Sequence, residues 1–223
     1  MPMRRLVHSL GALVVLTGGL TAGSAALLAG SAGAAACGPS SPTSTNCTMT
    51  GTVTLTGGAL TLASPASLAW TGTLTGTAQS LVDIVAADQQ YTVNDATGSG
   101  AGWHVTASAT TFTNGASTFP NTGTFVTNGS TSSITATTAP SATCSTTCTL
   151  PTNTTTYPVA ITTAATSPPA STIYDTSAAT GLGSIVIGGS TATNPVGWWV
   201  NVPGNAIAGA YTSTITMAII SGP

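Results

Sequence analysis

Alternation with a period of two runs through most of this chain. Met49, Gly51, Val53 and Leu55 alternate with Thr50, Thr52, Thr54 and Thr56, and after Gly57-Gly58 the pair Leu60 and Leu62 forms a short run that Pro65 ends. Trp70 to Thr77 repeats a Thr/Gly alternation, while Leu81 to Val85 is apolar on both faces. Tyr91 and Val93 lead into a turn over Asn94 to Gly102, and Trp103, Val105 and Ala107 then share one face against His104, Thr106 and Ser108. Successive side chains of a strand point to opposite sides of a sheet, so each run reads as a half-buried strand. Ile185-Val186-Ile187, within Gly181 to Gly188, adds another. Near the C-terminal end Trp198, Val200 and Val202 share a face, Pro203-Gly204 supplies a turn, and Tyr211, Ser213, Ile215, Met217 and Ile219 alternate with Thr212, Thr214 and Thr216. That pattern predicts a hairpin with one buried face. Beyond the first 36 residues no segment has sustained helical periodicity with caps. Short strands separated by Gly, Asn and Pro turns predict an all-β fold, an antiparallel β-sandwich of immunoglobulin-like or jelly-roll-like kind.

Two stretches interrupt the pattern. Residues 1–36 read as a cleaved helical signal peptide: Arg4 and Arg5 precede a largely apolar run from Leu10 to Leu28, and small residues lead to Ala34-Ala35-Ala36, an A-x-A cleavage site. Two other fates are open from the sequence. The apolar run is about long enough to be kept as a membrane anchor, although its glycines and small-residue tail favour cleavage. Lipid attachment at Cys37 would need a bulky aliphatic residue where Ala34 stands. The second stretch, Asn128 to Pro169, is rich in Thr, Ser, Ala and Pro and has few large apolar residues. It reads as an irregular insertion, with short strands at Ser132 to Ala136 and Val159 to Thr163, inside one domain over residues 37–223.

Composition narrows the partners. Apolar residues make up 42% of the chain and charged ones 3%. Arg4 and Arg5 are its only cations, glutamate is absent, and the acidic residues are Asp83, Asp88, Asp95 and Asp175. Without cations beyond the leader, nucleic acid and anionic membrane surfaces are excluded as electrostatic partners. The apolar content argues against disorder, and threonine favours strands because β-branched side chains pack well on a pleated surface. Four cysteines in an exported chain read as disulfides. Cys37 with Cys47 and Cys144 with Cys148 are the pairings that need the least chain closure, among three the sequence permits. Zinc would need C-x-x-C spacing, which is missing.

Two segments resemble the paired signature of the WxL surface-protein family of Gram-positive bacteria. One runs Tyr91-Thr92-Val93-Asn94-Asp95, a Gly-rich turn, then Gly102-Trp103-His104-Val105-Thr106. The other runs Gly197-Trp198-Trp199-Val200-Asn201-Val202-Pro203, then Ala208 to Thr216. Gly57 to Leu62 and Pro65 are similar to the family's N-terminal strand, so the likeness spans most of the chain after the leader. Both motifs end in valine where the family has leucine. The resemblance implies a β-sandwich that associates non-covalently with peptidoglycan, with Trp103/Val105 and Trp198/Val200 in the motif positions. No sorting motif or basic end follows the last strand, so sortase anchoring is not expected.

Read from the residues alone, each W-x-V places one large and one medium apolar side chain on a single strand face. Trp103 and Trp198 are then core residues or stacking platforms for a sugar ring. Trp199 points the opposite way from Trp198 and is the better candidate for an exposed platform; Trp70 fits either role. Catalytic chemistry finds little support. There is no glutamate, His104 is the only histidine after the leader, and no nucleophile elbow accompanies a Ser–His–Asp set with Asp95 or Asp83. Asp83, Asp88 and Asp95 match no calcium loop, and Gly98 to Gly102 precedes a strand without the lysine of a phosphate loop. The expectation is a non-enzymatic extracellular wall component without metal or cofactor. Its partner is wall glycan or peptidoglycan, or it is a structural or adhesive subunit assembling with other secreted proteins.

Overall fold

A computed structural model describes residues 49–129 and 133–223. Residues 1–36, read above as a signal peptide, and Cys37 and Cys47 lie outside the described residues. The chain divides into two units, residues 1–53 and 54–223. The described part of the first unit, residues 49–53, is exposed and carries no strand. The strand expected over Met49 to Thr56 is therefore not formed among the described residues, although the alternation is there.

Among its described residues the second unit has thirteen strands: β1 (Leu60–Ala63), β2 (Gln79–Val82), β3 (Gln90–Asp95), β4 (Trp103–Ala109), β5 (Thr113–Asn114), β6 (Ser117–Thr118), β7 (Thr124–Asn128), β8 (Ala142–Cys144), β9 (Val159–Ile161), β10 (Ser171–Asp175), β11 (Gly183–Gly188), β12 (Val196–Val202) and β13 (Ile215–Ser221). No helix occurs among the described residues. Every ladder is antiparallel, in sheets ordered β1-β3-β11-β8, β10-β4-β13 and β2-β12-β7-β9, with β5-β6 a small hairpin. β1 lies beside β13 and β10 beside β9, so the three sheets wrap one core in an all-β antiparallel sandwich.

Alternation determines what enters that core. In β4, Trp103, Val105, Ala107 and Ala109 point inward, joined by Val93 of β3, Ile185 and Ile187 of β11, and Val126 and Trp198 from the facing sheet. Full burial of a Val, Ile or Phe side chain contributes roughly 1.5–3 kcal/mol, so these inward rows hold the sheets together. A bulge between Thr172 and Tyr174 lets β10 turn both Ile173 and Tyr174 inward.

Three differences from the sequence reading stand out. β12 and β13 do not form the expected hairpin: β12 pairs with β2 and β7, and β13 with β4. Residues 203–214 cross between sheets with one isolated bridge, Thr212 to Thr113, and the β13 ladder begins at Ile215. The stretch from Asn128 to Pro169 is woven into the sandwich, since β8 pairs with β11, β9 pairs with β7, and Tyr157 and Ile161 are buried. Within it β9 falls in the expected Val159 to Thr163, whereas the described part of Ser132 to Ala136 is a turn. Cys144 and Cys148 form a disulfide with Cα atoms 5.5 Å apart, closing the loop after β8.

Candidate functional site

The side chains of both W-x-V motifs are in the interior. Trp103 and Val105 have no exposed surface, and the Trp103 indole Nε1 donates to the Gly181 carbonyl at 2.8 Å while its ring stacks on Tyr174. Trp198 is equally enclosed and its Nε1 donates to the Asp88 carbonyl at 3.1 Å; Val200 lies on the same side of β12. Both tryptophans are core residues, anchored at the polar edge of the indole as buried tryptophans usually are.

Trp199 corrects the expectation of an exposed platform. It points away from Trp198, as strand geometry requires, yet it is only 2% exposed. Its indole lies over Gly197, whose Cα also packs against the Gly129 backbone; a Cβ on Gly197 would come within 2.7 Å of the Trp199 Nε1. On the same face the Thr127 hydroxyl donates to the Ala136 carbonyl, which ties the Ser133–Ala136 turn down onto the sheet. The indole N–H of Trp199 has no hydrogen-bond partner among the described residues. Alternation assigned the side of the sheet correctly but carried no sign that the side would be covered.

Two other surfaces are open. The first is a groove of about 920 Å³. Its floor is the inward face of β12, with Trp198, Val200 and Val202; one wall is the irregular segment Ser64–Leu74, and the other is Ile215 and Met217 of β13 with the 206–213 crossing. Four aromatic rings run along it: Trp70 meets Phe112 edge-on at 5.6 Å, Phe112 stacks on Phe119 at 6.0 Å, and Phe119 stacks on Tyr211 at 4.0 Å. Leu74 and Ile207 stand exposed at its mouth. No lining residue carries a charge. A groove of this size and lining takes an apolar or uncharged occupant. β13 has β4 as its only ladder partner among the described residues, and it contributes Ile215 and Met217 to the groove.

Asp83 positions the groove wall. It is fully buried, and its carboxylate accepts from the Ala69 N–H at 2.7 Å and the Val85 N–H at 2.8 Å. Trp70 is fixed next to it by donation from its Nε1 to the Trp198 carbonyl at 2.9 Å. Asp88 lies near Asp83. Burial first, and then the Asp83 carboxyl beside it, push the Asp88 pKa above the ordinary carboxylate value. A raised folded-state pKa means that this group's stabilising contribution is complete below about pH 4 and is lost as pH rises through the folded value. Asp88→Asn is therefore expected to melt above the wild type at pH 7, with the gap closing as the pH is lowered toward 4. Thermal melts across that range check it; a variant less stable than wild type at pH 7 would contradict the assignment.

The second surface is the outer face of β10-β4-β13. Thr172, Thr216, Ala218 and Ile220 are exposed there around Thr106 and Ser108. Asp175, opposite His104, is the one acidic residue on this face and marks one end of it. His104 is half-buried, and its Nδ1 donates to the Gly222 carbonyl at 2.7 Å. Asp95 accepts from the Thr97 backbone and hydroxyl, so neither Asp95 nor Asp83 is bonded to the histidine. Among the described residues no group of three potential metal ligands comes together, and no helix is long and apolar enough to cross a membrane. The groove residues Leu74, Phe112, Phe119 and Ile207 escaped the sequence reading because they come from segments with no common pattern. No family model matches the chain, and neither the curated proteins nor the solved structures give a match.

Proposed function

We propose that this chain is a non-enzymatic extracellular surface protein that associates non-covalently with an uncharged cell-wall glycan or peptidoglycan. The observation that carries this reading is the outer face of β10-β4-β13, a hydroxyl-bearing surface with no cation and a single aspartate at its end. Such a face matches neutral sugar hydroxyls and offers nothing to a phosphate polymer. The leader-like N-terminus, the cysteines and the resemblance to WxL surface proteins point the same way. Asp83, Asp95 and His104 are each engaged by backbone groups, which fits a binding role better than proton transfer.

The test is co-sedimentation of the purified chain with cell walls of its own organism at low salt and at about 1 M salt, where charge contacts are screened within about 3 Å. Retention is expected at both, and Thr216→Glu combined with Thr172→Glu is expected to release the protein. Protein left in the supernatant at low salt, or wall-bound only at low salt, would rule out this mode of binding.

A second reading, a structural or adhesive subunit assembling with other secreted proteins, is favoured by the uncharged apolar groove with Leu74 and Ile207 exposed on it. Exposed apolar patches mark sites of protein association.

A further inference from the structure

We propose that the groove is a binding site for the single aliphatic chain of an uncharged lipid, taken up as a monomer. It lies on the other side of β13 from the glycan face proposed above: Ile215 and Met217 line the groove, and Thr216 between them belongs to the outer face.

Shape sets the first limit on the occupant. The volume of about 920 Å³ falls in the range of pockets that enclose one small molecule, roughly 300–1,000 Å³. The floor is a straight row, Trp198, Val200 and Val202, which one strand supplies at every second residue. Val200 and Val202 are only 3% and 6% exposed, so the walls stand close over this row. A slender chain fits such a track along its length, and each methylene gains apolar contact there.

Hydrogen bonding sets the second limit. The Trp70 Nε1 donates to the Trp198 carbonyl, and the Trp198 Nε1 to the Asp88 carbonyl. The Gln79 amide donates to the Thr73 carbonyl and the Ser213 hydroxyl to the Thr110 carbonyl. The rings are engaged with one another as well, since Phe119 stacks on both Phe112 and Tyr211 while Trp70 meets Phe112 edge-on. A sugar seated here would bury hydroxyls beside donors that already have partners, a cost that an alkyl chain does not incur.

Charge sets the third. No lining residue is charged, and the chain has no lysine or arginine after Arg5. A fatty-acid carboxylate would lose water without meeting a cation, whereas an alcohol or ester head loses far less. The exposed threonines Thr73 and Thr212 on the lining suit such a head. Leu74 and Ile207, one from each wall, are 40% and 63% exposed, and a chain bound between them removes apolar surface from water.

The experiment titrates the purified chain at pH 7 with the primary alcohols hexanol, octanol and decanol, following tryptophan emission and melting temperature. Saturable change and a raised melting temperature are expected, with affinity rising about two- to fourfold per methylene. Decanoate is expected to bind at least about tenfold more weakly than decanol. The double variant Leu74→Asp/Ile207→Asp, altered only at exposed positions, is expected to keep the melting temperature of the unliganded wild type and to lose decanol affinity by about tenfold or more. Affinity independent of chain length, decanoate bound as tightly as decanol, or decanol affinity unchanged in the double variant would each overturn the proposal. So would emission that responds to neutral wall-glycan fragments and to none of the alcohols, which assigns the groove to sugar. Binding to phosphatidylcholine vesicles without a response to the monomeric alcohols would make the groove a membrane contact. Self-association that the double variant abolishes, again without an alcohol response, would make it a protein interface; either result overturns the proposal.

Discussion

Trp103→Ala is expected to cost the fold about 3–5 kcal/mol, the range for truncating a fully buried aromatic side chain. The residue has no exposed surface, packs in the row Val105–Ala107–Ala109, and stacks on Tyr174 at 5.8 Å. Its indole N–H also satisfies the Gly181 carbonyl, which lies so close that a Cβ on Gly181 would come within 2.7 Å of Nε1. Gly181 adopts φ +74°, a left-handed conformation glycine tolerates without cost. The site therefore cannot collapse onto a smaller side chain by a shift of residue 181 alone, and a cavity remains. Urea unfolding of the two proteins measures the difference. A loss below about 1 kcal/mol, with wall association abolished instead, would mean that the ring serves a ligand and is not a core residue.

Asp83→Ala is expected to cost about 2–6 kcal/mol, from two backbone N–H groups left without an acceptor at roughly 1–3 kcal/mol each. These are Ala69 and Val85, and no water reaches a side chain with no exposed surface. The consequence extends to the groove, because Ala69 belongs to its Ser64–Leu74 wall. Release of that N–H frees the wall from β2 and alters the setting of Trp70. Asp83→Asn keeps one acceptor oxygen and is expected to lose less. Urea unfolding combined with Trp70-sensitive emission tests both parts. Equal stability of Asp83→Ala and wild type would show that the wall is held by packing and not by the carboxylate.

Much of the fold was legible. β1, β3, β4, β11 and β12 fall on runs of alternating or continuous apolar residues, and the inward side of β4 is the side the pattern names. β8 was not, since Ala142-Thr143-Cys144 has neither length nor apolar contrast; it is a strand because β11 offers it an edge. The low-complexity stretch misled for the same reason. Tyr157 and Ile161 are too sparse to announce a core, yet each is buried by strands distant in sequence. Tyr157 donates its hydroxyl to the Ile173 carbonyl, a bond no local pattern encodes.

The tryptophans divide the question most sharply. Alternation correctly placed Trp198 and Trp199 on opposite faces, but solvent exposure belongs to the assembled sheets. Trp199 is buried because Gly129 and Gly197 let β7 and β12 approach and leave a bed for its indole.

Read locally, the chain shows its chemistry: strands from β-branched alternation, no lysine or arginine after Arg5, and few ionisable groups. Those follow from side-chain identity and period, which are local. Only the tertiary structure decided which strands pair, that β12 and β13 part to different sheets, and that an apolar groove opens between them. Such decisions depend on contacts between residues far apart in the chain, where many pairings satisfy the same alternation and packing selects one.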